Sequence, residues 1–254
     1  MKRKFKVLLT RRLHDFALTK LRERCEITIH SGKIPMPKQK ILEEIKDKDG
    51  LICFPYDIID QEILDSTNKL KTISTFSVGF DHIDINYAKK KRITIGYTPD
   101  VLTNATAELT IGLILDLLRR ITEGDHIIRK GKWNEIFGPF NYVGTEVSGK
   151  TLGILGMGRI GKTVAKKASC LGMNILYHNK KSIANTGKAK YVSLNELFKK
   201  SDVISVHVPY SKNTHHMINS ALLRKMKKTS FLINTSRGKI VNQKDLLKIL
   251  QSKK

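Results

Sequence analysis

Gly153-Ile154-Leu155-Gly156-Met157-Gly158-Arg159-Ile160-Gly161-Lys162-Thr163 is the stretch that decides the fold. Gly156, Gly158 and Gly161 spell G-x-G-x-x-G. An apolar run, Thr151 to Leu155, precedes them and reads as a strand; Ile160 to Leu171 follows with helical periodicity. A dinucleotide site needs this context. The first glycine allows a tight turn, the second lets backbone approach a pyrophosphate, and the third lets helix pack close on strand. The N-terminus of the helix then aims its unpaired N–H groups at phosphate. The same letters also satisfy G-x-x-x-x-G-K-T, from Gly156 to Thr163, the phosphate loop of nucleoside-triphosphate enzymes. Those enzymes want an apolar strand ending in Asp to help hold magnesium. The later strands here end in Val206-His207-Val208-Pro209 and Asn234-Thr235-Ser236, without such an Asp. Dinucleotide binding is therefore favoured over the triphosphate reading and over a purely structural glycine turn.

The next strand, Asn174 to Tyr177, bears on the type of dinucleotide. A site for NAD usually places Asp or Glu at this strand's end, about 20 residues past the glycines, to hold the ribose 2′-OH. The residues there are Tyr177-His178-Asn179-Lys180-Lys181. An uncharged, basic end suits a 2′-phosphate better, so NADP(H) is favoured over NAD(H), with Asn179 and Lys180 as contacts. Ordinary solvated lysines are the alternative.

Alternation extends in both directions from the loop. Downstream, Ala189 to Val192, Val203 to Val208 and Phe231 to Asn234 read as strands, with helices at Leu194 to Lys199, Ser220 to Met226 and Lys244 to Leu250. Upstream, strands are expected at Phe5 to Leu9, Glu26 to Ile29, Gly50 to Phe54, Lys71 to Thr75 and Ile93 to Gly96. Helices fall among them at His14 to Arg24, Lys38 to Lys46, Gln61 to Ser66 and Ile85 to Lys91, and a longer one at Asn104 to Ile121. Strands alternating with helices imply parallel β-α units. The chain is read as α/β in two lobes, 1–102 and 103–254, with Gly131 to Gly149, which holds the only tryptophan, Trp133, as a connection between lobes.

Composition narrows the function classes. With 254 residues, 40% hydrophobic and 28% charged, the chain has ample material for a core and is not a disordered tail. The formal net charge of +24 raises nucleic acid or an anionic membrane as a partner. The basic residues are scattered through nearly every segment, and no RNA-binding signature or aromatic-interleaved basic stretch accompanies them, so neither partner is expected. Cys25, Cys53 and Cys170 lie far apart, match no metal spacing and fit a reducing compartment. The apolar run after Met1-Lys2-Arg3-Lys4 is too short for a signal peptide. Leu109 to Leu118 is too short for a span and carries Asp116. A cytoplasmic protein is the expectation.

Asn234-Thr235-Ser236-Arg237-Gly238 follows an apolar strand, and the carboxyl ends of strands are where open α/β sheets bind ligands. An arginine there can grip a carboxylate with both arms of its fork. Taken with Ile73 to Ile83 (Ile-Ser-Thr-Phe-Ser-Val-Gly-Phe-Asp-His-Ile), Gly96 to Thr103, Thr106-Ala107-Glu108 and the glycine loop, the sequence resembles the D-isomer-specific 2-hydroxyacid dehydrogenases, and among them the glyoxylate/hydroxypyruvate reductases. The resemblance runs along essentially the whole chain. It implies a flavodoxin-like substrate domain followed by a Rossmann-type doubly wound dinucleotide-binding domain. It also implies hydride transfer between NAD(P)H and a small 2-keto or 2-hydroxy acid, and a homodimer built on the region that Asn104 to Trp133 resembles.

Residue by residue, the resemblance makes Val78 and Gly79 the turn whose N–H groups bind the substrate carboxylate. It sets Thr106 beside the nicotinamide, Arg159 and Ile160 against the pyrophosphate, and His207 and Pro209 along the adenosine pocket. Thr235 and Ser236 fall at the cofactor, and Arg237 polarises the keto group and anchors the carboxylate. The family's proton donor, a histidine paired with a glutamate, and an aspartate at the nicotinamide amide, lie downstream of the arginine. Only seventeen residues follow Arg237, and on the resemblance the chain stops before all three positions. Neither His82 with its neighbour Asp84, nor His215 and His216, imitates that pairing. A chain truncated at its C-terminus, lacking the last strands of the cofactor sheet, is the expectation. The alternative to an enzyme is a dinucleotide-binding protein without turnover, corepressor-like, or an inactive fragment.

Overall fold

The computed structural model describes residues 3–136, 138 and 140–252. The chain divides into two compact units, Met1–Val101 and Leu102–Lys254. Each is built round its own five-stranded parallel sheet.

In the first unit the strands are β1 (Phe5–Leu9), β2 (Cys25–Ile29), β3 (Gly50–Cys53), β4 (Thr72–Thr75) and β5 (Thr94–Gly96). Their order is β2-β1-β3-β4-β5, the flavodoxin-like arrangement, and every pair is parallel. Helices α1 (Asp15–Arg24), α2 (Lys38–Glu44), α3 (Gln61–Asp65) and α4 (Ile85–Lys90) make the crossovers. Side chains alternate along each strand, so Leu8, Leu51 and Ile73 enter one core cluster with Ile41, Ile63 and Ala88, while Leu9 and Leu18 build the other face. Asp60 and Asp84 start α3 and α4 by accepting hydrogen bonds from the Ile63 and Tyr87 N–H groups.

The second unit opens with α5 (Thr103–Arg119) and α6 (Ile121–Arg129). Its strands are β6 (Thr151–Leu155), β7 (Asn174–His178), β8 (Lys190–Tyr191), β9 (Val203–Val206) and β10 (Phe231–Asn234), in the order β10-β9-β6-β7-β8. Counted from β6, that is the Rossmann order 3-2-1-4-5. Helices α7 (Arg159–Cys170), α8 (Leu194–Lys200), α9 (Ser220–Leu223) and α10 (Gln243–Gln251) complete it. β6 lies at the centre, and every β9 residue is fully buried. Such strands read as near-continuous apolar runs rather than alternating ones, with Ser205 the one polar residue in β9.

Two expectations need adjustment. The long helix expected over Asn104 to Ile121 is present as α5 but stops at Arg119, because Arg120 takes a left-handed conformation (φ 55°) and starts the separate α6. The stretch Gly131 to Gly149, expected to connect the lobes, falls in the second unit, where Val147 enters the core; Phe137 and Pro139 of it lie outside the described residues. Its polar, glycine-bearing composition marks a surface loop, and composition alone does not say which elements a loop joins.

Candidate dinucleotide and keto-acid site

The glycine loop follows β6 where its neighbours diverge, β7 to one side and β9 to the other. Ligands of open α/β sheets bind at such a point. Both neighbours hold the loop. The Gly156 N–H donates to the His178 carbonyl at 3.0 Å, and the His207 N–H donates to the Leu155 carbonyl at 2.8 Å. The Met157 N–H donates to Asn179 Oδ1 at 2.8 Å.

The three glycines have separate reasons to be glycine. Gly156 has φ 101°, and a Cβ there would meet the Val208 nitrogen at 2.7 Å. A Cβ on Gly161 would fall 2.2 Å from the Gly156 carbonyl oxygen, so helix and loop could not close together. Gly158 differs, since a Cβ there would meet nothing within 4 Å. Packing within the protein does not demand glycine at this position. The space above it is open to the close backbone approach that a pyrophosphate requires. Gly158 is also the N-cap of α7 and provides no side-chain cap, which leaves the first-turn N–H groups for an anion. The residues present fit a dinucleotide pyrophosphate.

Around the loop, Arg159 and Ile160 form the first turn of α7. His207 and Pro209 follow β9. The His207 ring is largely buried, with Nε2 2.8 Å from Ser205 Oγ. Burial pulls its pKa down to about 4, so it is a neutral imidazole at ordinary pH. At the end of β7, Lys180 and Lys181 are exposed, and among the described residues no carboxylate pairs with them.

Arg237 follows β10 in a turn braced by one side chain. Asn234 Nδ2 donates to the Arg237 carbonyl at 2.9 Å, while Asn234 Oδ1 accepts from the Ser236 N–H at 3.0 Å and the Ser236 hydroxyl at 2.7 Å. Arg237 is half-buried, and its Nη1 donates to the Ser236 carbonyl at 3.1 Å. Thr235 Oγ1 lies 3.1 Å from the Thr110 hydroxyl, which donates to the Thr106 carbonyl at 2.8 Å. The second unit therefore brings Thr106 and the arginine turn into one hydrogen-bonded chain. Sequence reasoning missed Asn234 and Thr110 as supports. An Asn two residues before a Ser is an Asx-turn signal that could have found the first.

In the first unit, Val78 and Gly79 form the turn after β4. The Ser77 hydroxyl donates to the Gly79 carbonyl, and the Thr98 N–H donates to the Ser77 carbonyl at 3.0 Å. Beneath the turn, the Thr75 hydroxyl sits 2.9 Å from both Ser77 Oγ and His82 Nε2. Cys53 Sγ is 3.9 Å from the same ring nitrogen, and burial pushes its thiol up to about 12. That thiol stays protonated and is no nucleophile. His82 is buried within this network and supports the turn.

Among the described residues no His/Cys/Asp/Glu group could hold a metal ion, and no helix is long and apolar enough to cross a membrane.

Residues 111–254 match the family model described as D-isomer specific 2-hydroxyacid dehydrogenase, NAD binding domain. A glyoxylate reductase of Thermofilum pendens is 45% identical, over 97% of this chain and 74% of its own. A D-lactate dehydrogenase of Aquifex aeolicus, solved with NAD and lactic acid, superposes with a TM-score of 0.88 at 34% identity, over 98% of this chain and 74% of its own. An NADPH-dependent glyoxylate/hydroxypyruvate reductase of Sinorhizobium meliloti, solved with NADP and malonate, gives 0.86 at 26% identity, over 99% and 77%.

Proposed function

Because the chain belongs to the D-isomer specific 2-hydroxyacid dehydrogenase family and is an NAD(P)-dependent oxidoreductase of hydroxy acids, we propose that its substrate is glyoxylate or a similarly small 2-keto acid, reduced with NADPH. The observation that carries the reading is the pairing of an unobstructed Gly158 with a braced Arg237 turn on the same sheet. The similarity to glyoxylate reductases supports the substrate class.

The proposed division of labour follows from the chemistry of each group. The Gly156–Gly161 loop and the first turn of α7, with Arg159 and Ile160, bind the pyrophosphate through backbone N–H groups. His207, kept neutral by burial, and Pro209 line the adenosine side. Lys180 and Lys181, with Asn179 fixing the loop, favour the 2′-phosphate and hence NADPH over NADH. Thr106, Thr235 and Ser236 fix the nicotinamide end. When bound, the reduced nicotinamide supplies a hydride. The N–H groups of Val78 and Gly79 hold the substrate carboxylate. The Arg237 fork stabilises the negative charge that grows on the keto oxygen, which suits a permanently charged, planar donor, and the alkoxide so formed takes its proton from solvent water. A second copy of the chain is the proposed partner, seated on Leu109, Ile121 and Ile128, which are exposed on α5 and α6.

Nicotinamide absorbance tests the function. NADPH oxidation with glyoxylate or hydroxypyruvate, lost in Arg237→Ala, is the expected result. Tight binding of NADPH with no turnover of any small 2-keto acid would leave the non-catalytic alternative. Light scattering at micromolar concentration tests the dimer.

A further inference from the structure

A parallel strand pair is normally joined by a helical crossover, but β7 reaches β8 without one. The eleven residues 179–189 instead form an irregular loop. Asn185 (φ 56°) and Gly187 (φ 60°) turn it in left-handed conformations that those two residue types tolerate. The Tyr177 phenol ties the loop back to the sheet. It donates to the Ile183 carbonyl at 3.1 Å, accepts from the Ile183 N–H at 3.2 Å and lies 3.2 Å from Ser182 Oγ. Without a crossover helix, the flank of α7 that faces this loop is left unroofed.

The space so opened is a cavity of about 500 Å³ that begins at the glycine loop, where Met157 forms part of its wall. Lys162 and Lys166, one helical turn apart on α7, line one side; Thr186 and Lys188 of the loop line another. No acidic residue lines it, and no carboxylate pairs with Lys162, Lys166 or Lys188 among the described residues. The contrast with Lys167, next along the helix and paired with Glu108 at 3.0 Å, is direct. Lys162, Lys166 and Lys188 are all exposed, and with no carboxylate among them they make the cavity a favourable place for an anion. The Tyr177 phenol, lowered from its usual range chiefly by the Ser182 hydroxyl, also senses the Lys162 charge.

We propose that Lys162, Lys166 and Lys188 form a second wall of the cofactor site, which grips the adenosine 2′-phosphate together with the strand-end lysines and sets the preference for NADPH. This rests on the NADP(H) reading above. The phosphate carries close to two negative charges, and ammonium groups from a second element neutralise it better than Lys180 and Lys181 alone.

Calorimetric titration with 2′,5′-ADP and with 5′-AMP reads the phosphate contact without any turnover. The wild-type chain should bind 2′,5′-ADP at least about tenfold more tightly than 5′-AMP. Lys162→Gln and Lys188→Gln should each cut that preference by about fivefold with 5′-AMP affinity unchanged, whereas Lys225→Gln, on the distant α9 side, should not. Full preference retained in both Lys162→Gln and Lys188→Gln would overturn the second wall while leaving the NADP(H) reading in place. A wild-type chain that does not distinguish the two probes would overturn that reading, and the second wall with it.

Discussion

Asn234 holds the backbone of Arg237 by donating its amide to the Arg237 carbonyl at 2.9 Å, while its own carbonyl oxygen takes both donors of Ser236. One planar side chain therefore fixes the turn from which the guanidinium projects. A net hydrogen bond contributes about 1 kcal/mol, and leaving a partner unsatisfied costs about 1–3 kcal/mol. Asn234→Ala should accordingly weaken binding of oxamate, an unreactive 2-keto acid analogue, by about tenfold with NADPH bound. Arg237→Lys removes the fork itself and should weaken it by a similar or larger factor. NADPH affinity measured in the same titrations should fall far less. Equal losses of both ligands would show that the turn serves the cofactor and not the acid.

His207 predicts a pH dependence of stability. Its folded pKa of about 4 lies below the ordinary 6.5 because burial disfavours the imidazolium. Between those values the unfolded chain binds the extra proton, so stability falls as pH drops from about 6.5 and is lost progressively down to about 4. The full contribution is on the order of 3 kcal/mol at most. Urea unfolding at pH 7.5, 6 and 5 measures it. His207→Gln, which keeps a polar partner for Ser205, should flatten that part of the profile; an unchanged slope would assign the acid sensitivity to other groups.

Features encoded by local chemistry were legible in the sequence. The strands Phe5–Leu9, Thr151–Leu155 and Phe231–Asn234 stand where apolar runs placed them, and the glycine loop occupies the strand–helix junction its spacing required. Features decided by tertiary contact were not. Nothing local in Leu-Arg-Arg-Ile announces that Arg120 turns left-handed, a conformation fixed by contacts outside its own helix. Its guanidinium pairs with Glu123 at 2.6 Å and lies over the Tyr142 ring, whose hydroxyl donates to the Arg120 carbonyl. The cavity beside α7 depends on a helix that is absent from a crossover, and absence of periodicity in Ser182 to Lys188 reads only as loop. Asn179 Oδ1 supports the loop backbone at Met157, a contact that its place at a strand end does not announce.

Thr110 is fully buried and links Thr106 to Thr235 through one hydroxyl. Thr110→Val keeps shape but removes the donor and strands the Thr235 hydroxyl. The expected cost is about 1–2 kcal/mol, a fall of a few degrees in the melting temperature of the chain. Thr110→Ser, which retains the hydroxyl, should recover most of the hydrogen-bond loss but not the methyl packing. If Ser and Val variants melt together, packing and not the hydrogen-bonded chain holds α5 to the arginine turn.

The glycine loop separates fold from function most sharply. Gly161→Ala drives a Cβ to 2.2 Å from the Gly156 carbonyl oxygen, a backbone atom that cannot yield cheaply. That substitution should lower the melting temperature and dinucleotide affinity together, with a stability loss of about 1–3 kcal/mol as in other overpacked sites. Gly158→Ala meets no atom within 4 Å, and its φ of −80° suits any L-residue. The variant should therefore melt within about 0.5 kcal/mol of the wild type, as surface substitutions generally do. Yet its new methyl group occupies the approach that a pyrophosphate needs, so NADPH affinity should fall by about tenfold or more. Calorimetry and thermal melting on the two variants decide the matter. A Gly158→Ala chain that binds NADPH as the wild type does would mean that the pyrophosphate does not cross this loop.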